Sequence, residues 1–208
     1  MQAAIQATAD LRQEHEVIQQ VLDCVEVLAE SAAETGQIDL ISAREALDFL
    51  GTFADRCHHG KEELRLFPAL HLKGLPVHVG PIAVMLSEHD QGRASIQWMR
   101  QAVMDAERDP AGAARRYAKS ARSYVELMRD HIDKENGVLF PMADQLLGEE
   151  EARALLSSFN EIEHDDLGEG THDLYLALAR GLCERLGVAW APHAGGAHTC
   201  CGHHGGCH

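Results

Sequence analysis

The chain has 208 residues, a quarter of them charged, and a formal net charge of −15 at pH 7. Nucleic acids and anionic membranes repel such a surface, so this charge argues against both as partners. The first twenty residues lack an apolar run long enough for a signal peptide, and no stretch approaches the roughly 18 apolar residues of a membrane span. The length suits one domain with a substantial core, and we expect a cytoplasmic protein.

Helix-forming residues dominate the sequence, and apolar residues recur at intervals of three to four. Gly, Pro and Asp-Pro breaks separate the helical patterns. The predicted helices cover residues 10–34, 40–71, 80–107, 111–147, 149–166 and 169–187. We therefore predict an all-α fold, an up-down four-helix bundle with two extra C-terminal helices. Residues 8–147 would form the metal-binding bundle and 149–187 the accessory helices, within a helical domain over 1–190.

The last residues, 191–208, form a predicted flexible tail rich in Gly, His and Cys. Its metal-binding side chains are His198, Cys200, Cys201, His203, His204, Cys207 and His208. They would bind zinc, copper or nickel, although no tetrahedral spacing is present. Two interpretations stay open: an adventitious metal-binding tail, or an arm that senses or loads metal. Because a reducing compartment keeps thiols reduced, we expect no disulfide framework.

An internal repeat relates the two halves of the bundle. Glu14-His15-Glu16 in the first helix recurs as Glu88-His89-Asp90 in the third. The segment from His58 through Glu62 to Leu66-Phe67-Pro68 recurs from His131 through Glu135 to Leu139-Phe140-Pro141. The chain thus contains two similar helical hairpins, which would pack face to face as a four-helix bundle. Each hairpin supplies one histidine from its first helix and a His/Glu pair from its second.

The spacing of the repeated residues points to a metal. Residues four apart lie on one helix face, so each His/Glu pair can reach a common point. Burying two carboxylates without compensation costs several kcal/mol each, and metal coordination removes that cost. Mixed imidazole and carboxylate ligands suit iron, zinc or manganese. The predicted ligands are His15, His58, Glu62, His89, His131 and Glu135.

With these motifs, residues 8–147 resemble the hemerythrin-like (HHE cation-binding) domain. The resemblance implies two iron ions joined by an oxo or hydroxo bridge. Oxygen-carrying members place two histidines four apart on the third helix. Here the residues four before and four after His89 are Met85 and Arg93. The ligand set is therefore more similar to the four-His, two-Glu di-iron proteins of iron–sulfur repair and of iron sensing.

Several further residues have two interpretations. His59 points about 100° away from His58, so we expect a partly exposed rim residue, with an additional ligand or hydrogen-bond donor as the alternative. For Glu63 we expect a solvated helix surface, with the same alternative as for His59. For Glu14 and Glu88 we also expect solvated helix surfaces, although each could instead orient an imidazole. Tyr124 and His164 are possible ligands or hydrogen-bonding partners of ligands. Core packing is the expected role of Tyr124, and a surface role is expected for His164.

The resulting functional hypothesis is a non-haem di-iron protein that binds or reduces a small oxidant, namely dioxygen, peroxide or nitric oxide. Sensing, detoxification and repair are all compatible with it. The alternative is a protein that binds, stores or delivers iron or another transition metal through the bundle site and the tail. An unidentified redox or metal-accepting protein is a possible partner. Whether the chain is an enzyme stays open.

Overall fold

The computed structural model describes residues 8–162 and 170–191, and within these ranges all regular structure is helical. Helix α1 is Ala9–Thr35, α3 is Gly80–Asp105, α5 is Glu149–Ile162 and α6 is Thr171–Leu186. Helix α2 runs continuously over 40–72 and α4 over 110–146. The predicted all-α class and order of helices are confirmed. The third helix ends slightly earlier than predicted, at Asp105.

Local sequence signals explain where these helices begin and end. Asp39 caps α2 by accepting hydrogen bonds from the next turn, and Asp109 caps α4 in the same way. Pro81 and Pro110 lie in the first turns of α3 and α4, where a missing N–H has no cost. Gly36 adopts φ 69° and ends α1, a left-handed conformation that a glycine reaches without strain.

The first four helices pack in cyclic order. Helix α1 contacts α2 and α4, and α3 contacts the same two neighbours. Short connections join consecutive helices, so neighbours run antiparallel and form a four-helix bundle. Helix α6 packs on α1 and α2, while α5 packs near the end of α2. No helix in the described part of the chain is both long and apolar enough to cross a membrane.

Helices α2 and α4 each widen into π-helical turns at corresponding places. The turns cover Leu50–His59 and Glu62–Leu66 in α2, and Glu135–Leu139 in α4. Two of them directly precede Phe67-Pro68 and Phe140-Pro141. A proline ring inside an α-helix clashes with the carbonyl four residues earlier, and a wider turn relieves that clash. The repeated prolines thus account for π turns at corresponding positions in both hairpins.

The core consists of two apolar clusters with a polar layer between them. The larger cluster includes Phe49, Phe53 and Tyr117. The other includes Leu66, Phe67 and Phe140 and is covered by α5. Every predicted ligand lies in sequence between members of the first cluster and members of the second. The polar layer therefore lies inside the bundle, with apolar packing at both of its ends.

Candidate metal centre

The six predicted ligands come together in the polar layer, and a fifth histidine joins them. The side chains divide into two groups whose ligand atoms lie within 4.8 Å of one another. Position A denotes the group His15, His58, Glu62 and Glu135. Position B denotes the group His59, Glu62, His89 and His131. All seven residues are buried.

Pairs of imidazoles define the centre of each position. The Nε2 atoms of His15 and His58 lie 2.9 Å apart at position A. The Nε2 atoms of His89 and His131 lie 3.1 Å apart at position B. His59 stacks on His89 with ring centroids 3.8 Å apart. Each position thus gathers imidazole nitrogens from several helices towards one point.

The two glutamates lie between the positions. Glu62 Oε1 is 3.7 Å from His58 Nε2, and its Oε2 is 3.4 Å from His89 Nε2. Glu135 Oε2 is 3.2 Å from His15 Nε2 and 3.3 Å from His131 Nε2. Each carboxylate therefore faces imidazoles of both positions, the arrangement required to bridge two cations.

A second layer of acceptors orients the imidazoles through their Nδ1 atoms. On the second helix of each hairpin, His58 Nδ1 donates to Glu14 Oε2 (2.8 Å) and His131 Nδ1 donates to Glu88 Oε2 (3.0 Å). These hydrogen bonds fix the tautomer and direct Nε2 towards the centre.

The histidines on the first helix of each hairpin have acceptors on the opposite hairpin. His89 Nδ1 donates to Glu63 Oε1 (2.7 Å). His15 Nδ1 donates to Asn136 Oδ1 (3.0 Å). Glu63 and Asn136 directly follow Glu62 and Glu135 in the sequence. Each glutamate and the acceptor after it therefore lie on the same turn of α2 or α4.

Cations lie behind the second layer. Lys61 pairs with Glu14, and Lys134 pairs with Glu88. Arg93 donates to Glu63 (3.0 Å) and also contacts Asp55 and Asp90. These cations neutralise the outer carboxylates. Burial raises the pKa of Glu14, but Lys61 and His58 outweigh that effect and lower it to about 2.

The histidines of the metal-free cluster differ in pKa. Burial and, to a smaller extent, nearby His89 lower the pKa of His59 to about 4. Burial also lowers the pKa of His131 far below its ordinary value. For His89 burial acts downward too, but the nearby carboxylates of Glu62 and Glu63 raise the pKa to about 9. Because a metal binds neutral imidazole, metal binding would displace the protons held here.

The residues fit a cation pair. Both carboxylate oxygens of Glu62 and of Glu135 are buried without a hydrogen-bond partner among the described residues. An unpaired buried carboxylate is costly, and coordination to a metal is a usual remedy. The imidazole and carboxylate donors suit iron, zinc or manganese. Because neither group contains a thiolate, the donor set does not favour a structural zinc site.

The sequence interpretation of His59 was wrong about its exposure. It is buried, because the π turn places more residues in each turn of α2 and so directs both His58 and His59 inward. Tyr124 is buried in the larger apolar cluster and belongs to neither ligand group. His164 and the tail residues lie outside the described parts of the chain.

The expected solvated positions of three glutamates were also wrong. Glu14 and Glu88 are buried and Glu63 is half-buried, and each accepts a hydrogen bond from a predicted ligand histidine. Their charge suggested helix surface, but a cation beside each one allows burial. A lysine three residues after each of His58 and His131 is the sequence signal that could have indicated this arrangement.

Comparison with known proteins agrees with this geometry. Residues 6–143 match the hemerythrin HHE cation binding domain, about two thirds of the chain. The chain therefore belongs to that family, and membership implies a bound metal, typically iron. It is also 23% identical, over 184 residues, to uncharacterized proteins of Mycobacterium bovis and of two strains of Mycobacterium tuberculosis. These alignments cover 88% of this chain and 71% of the relatives.

Proposed function

We propose that the chain is a cytoplasmic non-haem di-iron protein that binds or reduces a small oxidant: dioxygen, peroxide or nitric oxide. The protein would act in sensing, detoxification or repair. The observation that carries the proposal is the pair of buried, unpartnered carboxylates between five imidazoles. A purely structural core has no use for such a layer, since apolar residues of similar size would be more stable there.

Glu62 and Glu135 would bridge the two ions. His15 and His58 would complete position A, and His59, His89 and His131 would complete position B. When bound, a pair of irons supplies electrons and open coordination positions, which a small oxidant requires. The Nδ1 acceptors hold the imidazole planes in place, so the protein need not reorganise when the charge of the centre changes.

Aromatic rings limit the access of water to the layer. Phe140 stacks on His15 with centroids 5.2 Å apart, and Phe67 stacks on His89 at 6.0 Å. The two rings correspond in the internal repeat and are buried. Such walls favour small, weakly polar ligands over hydrated ones. The proposed ligand class follows from this combination of donor set and apolar surroundings.

A metal-handling role is the alternative. It rests on the seven cysteines and histidines between His198 and His208, which are a dense set of soft and borderline ligands. In that role the bundle and the tail would store iron or another transition metal and deliver it to a protein partner. The tail could carry zinc, copper or nickel.

Metal content and absorption spectra test the proposal. The full chain would be compared with a full-length variant in which the seven tail ligands are replaced by serine or alanine. Two irons per chain in both proteins, with near-ultraviolet bands that change on adding azide, peroxide or nitric oxide, would support a redox di-iron protein.

Other outcomes favour different functions. Metal that is lost when the tail ligands are replaced would contradict the proposal and favour metal handling. Two irons that exchange readily and react with no oxidant would favour storage or delivery. Iron that is bound without any spectral response to added ligands would indicate a structural metal.

A further inference from the structure

The internal repeat makes the two metal positions similar, but one difference concerns their ligands. At the residue after each ligand histidine of the second and fourth helices, α2 has His59 and α4 has Ile132. Both side chains are buried. Position B therefore gains a third imidazole, whereas Ile132, the corresponding residue of the other hairpin, lies in the larger apolar cluster and offers no ligand atom.

A second difference concerns the acceptors behind the ligands. At the residue after each bridging glutamate, α2 has Glu63 and α4 has Asn136. Glu63 gives His89 a carboxylate acceptor at 2.7 Å, and Asn136 gives His15 an amide acceptor at 3.0 Å. A carboxylate accepts a stronger hydrogen bond than an amide and raises the basicity of the imidazole it holds.

The two differences act in the same direction. His58 at position A and His131 at position B each have a carboxylate acceptor, so these two histidines do not distinguish the positions. The two positions therefore differ in the third imidazole of position B and in the acceptor of one histidine, which is Glu63 at position B and Asn136 at position A. Both make position B the richer in electrons and the more completely coordinated by protein.

We propose, on the basis of the proposed di-iron function, that Glu63 and Asn136 are positioning residues that establish an order of metal retention. Position B retains its ion tightly, because Glu63 makes His89 the more basic ligand. Position A exchanges its ion readily, because Asn136 leaves His15 less basic. The chain would thus be loaded at position B first and lose metal from position A first.

A charge exchange tests this order without changing the shape of either side chain. Glu63→Gln keeps an acceptor for His89 and removes its charge, while Arg93 retains Asp55 and Asp90 as partners. Asn136→Asp gives His15 a carboxylate acceptor. Glu126→Gln, on the exposed face of α4, is the matched control. All variants are full-length and carry replaced tail ligands, so that only bundle ions are counted.

Each protein would be loaded anaerobically with two equivalents of iron(II) and mixed with excess of a chelator whose ferrous complex is coloured. The unsubstituted bundle is expected to release one ion in a fast phase and one in a slow phase. Glu63→Gln should accelerate the slow phase about 10- to 100-fold, the usual effect of losing such a partner. Asn136→Asp should slow the fast phase, and the control should change neither phase.

The outcomes separate this inference from the function on which it rests. Two bound ions released at the same rates in all variants would overturn the retention order and leave the di-iron proposal intact. Equal acceleration of both phases by Glu63→Gln would also overturn it, because a general loss of structure acts on both positions. A bundle that retains no iron would overturn both proposals.

Discussion

Replacing Glu62, one of the two proposed bridging carboxylates, should remove most of the stabilisation that bound metal would give the fold. Glu62 is fully buried, and its two oxygens face imidazoles of different positions at 3.7 and 3.4 Å. Glu62→Gln keeps the size of the side chain and removes the charge that both ions share. We expect metal affinity to fall at least 100-fold, beyond the roughly 10- to 100-fold effect of losing an outer hydrogen-bond partner.

The size of the effect on thermal stability follows from linkage. Free iron(II) at about 1,000 times the dissociation constant stabilises a folded protein by about 4.1 kcal/mol. A 100-fold weaker site at the same iron concentration gives about 1.4 kcal/mol by the same relation. For a domain of this size, each kcal/mol shifts Tm by about 2–4 °C. Iron should therefore raise Tm by about 8–16 °C normally and by about 3–6 °C in the variant.

Anaerobic thermal melts with and without iron(II) measure both increments. Glu126→Gln, an exposed change of the same chemistry, should keep the full increment. Every protein carries the same tail, so any contribution of the tail cancels in the comparison. A full increment in Glu62→Gln would refute the reasoning, since the carboxylate would then have no part in holding metal.

Two further predictions concern groups outside the ligand set. Lys61 is buried against Glu14 while Lys134 is half exposed, so Lys61→Met should lower the free energy of unfolding by about 3–5 kcal/mol and Lys134→Met by less than about 1 kcal/mol. Urea unfolding of the two metal-free variants measures this contrast, and equal losses would contradict it. Cys24 and Cys183 are buried with Sγ atoms 3.4 Å apart, and burial raises the pKa of each thiol. Both should react with an aromatic disulfide reagent only after unfolding, and rapid labelling of the native protein would show the opposite.

The sequence predicted the bundle because its strongest signal is duplicated. The recurrence of a His/Glu pair before Leu-Phe-Pro relates α2 to α4, and this relation alone brings Glu62 and Glu135 to one layer. Helix boundaries followed from short-range chemistry, such as the cap at Asp39. These features depend on residues close in sequence, so a pattern can reveal them.

The missed features depend on helix geometry and on contacts between helices. The inward direction of His59 requires a π turn, and a regular α-helix was the assumed geometry. Pro68, inside an otherwise helical pattern, was the available warning of a distorted turn. The burial of Glu14 requires the lysine that α2 brings beside it. Charge type alone could not distinguish such a paired residue from a solvated one.

The polar layer between the two apolar clusters has a consequence for cooperativity. Seven imidazole and carboxylate side chains interrupt the apolar packing along the bundle axis. The layer is therefore the least stable part of the core when the carboxylates lack a counter-charge. A bound ion pair would join four helices at that level and make both ends unfold together. The metal would then hold the four helices together as well as serve as a reaction centre. Hydrogen exchange at the α5 end, compared with and without metal, would report this coupling.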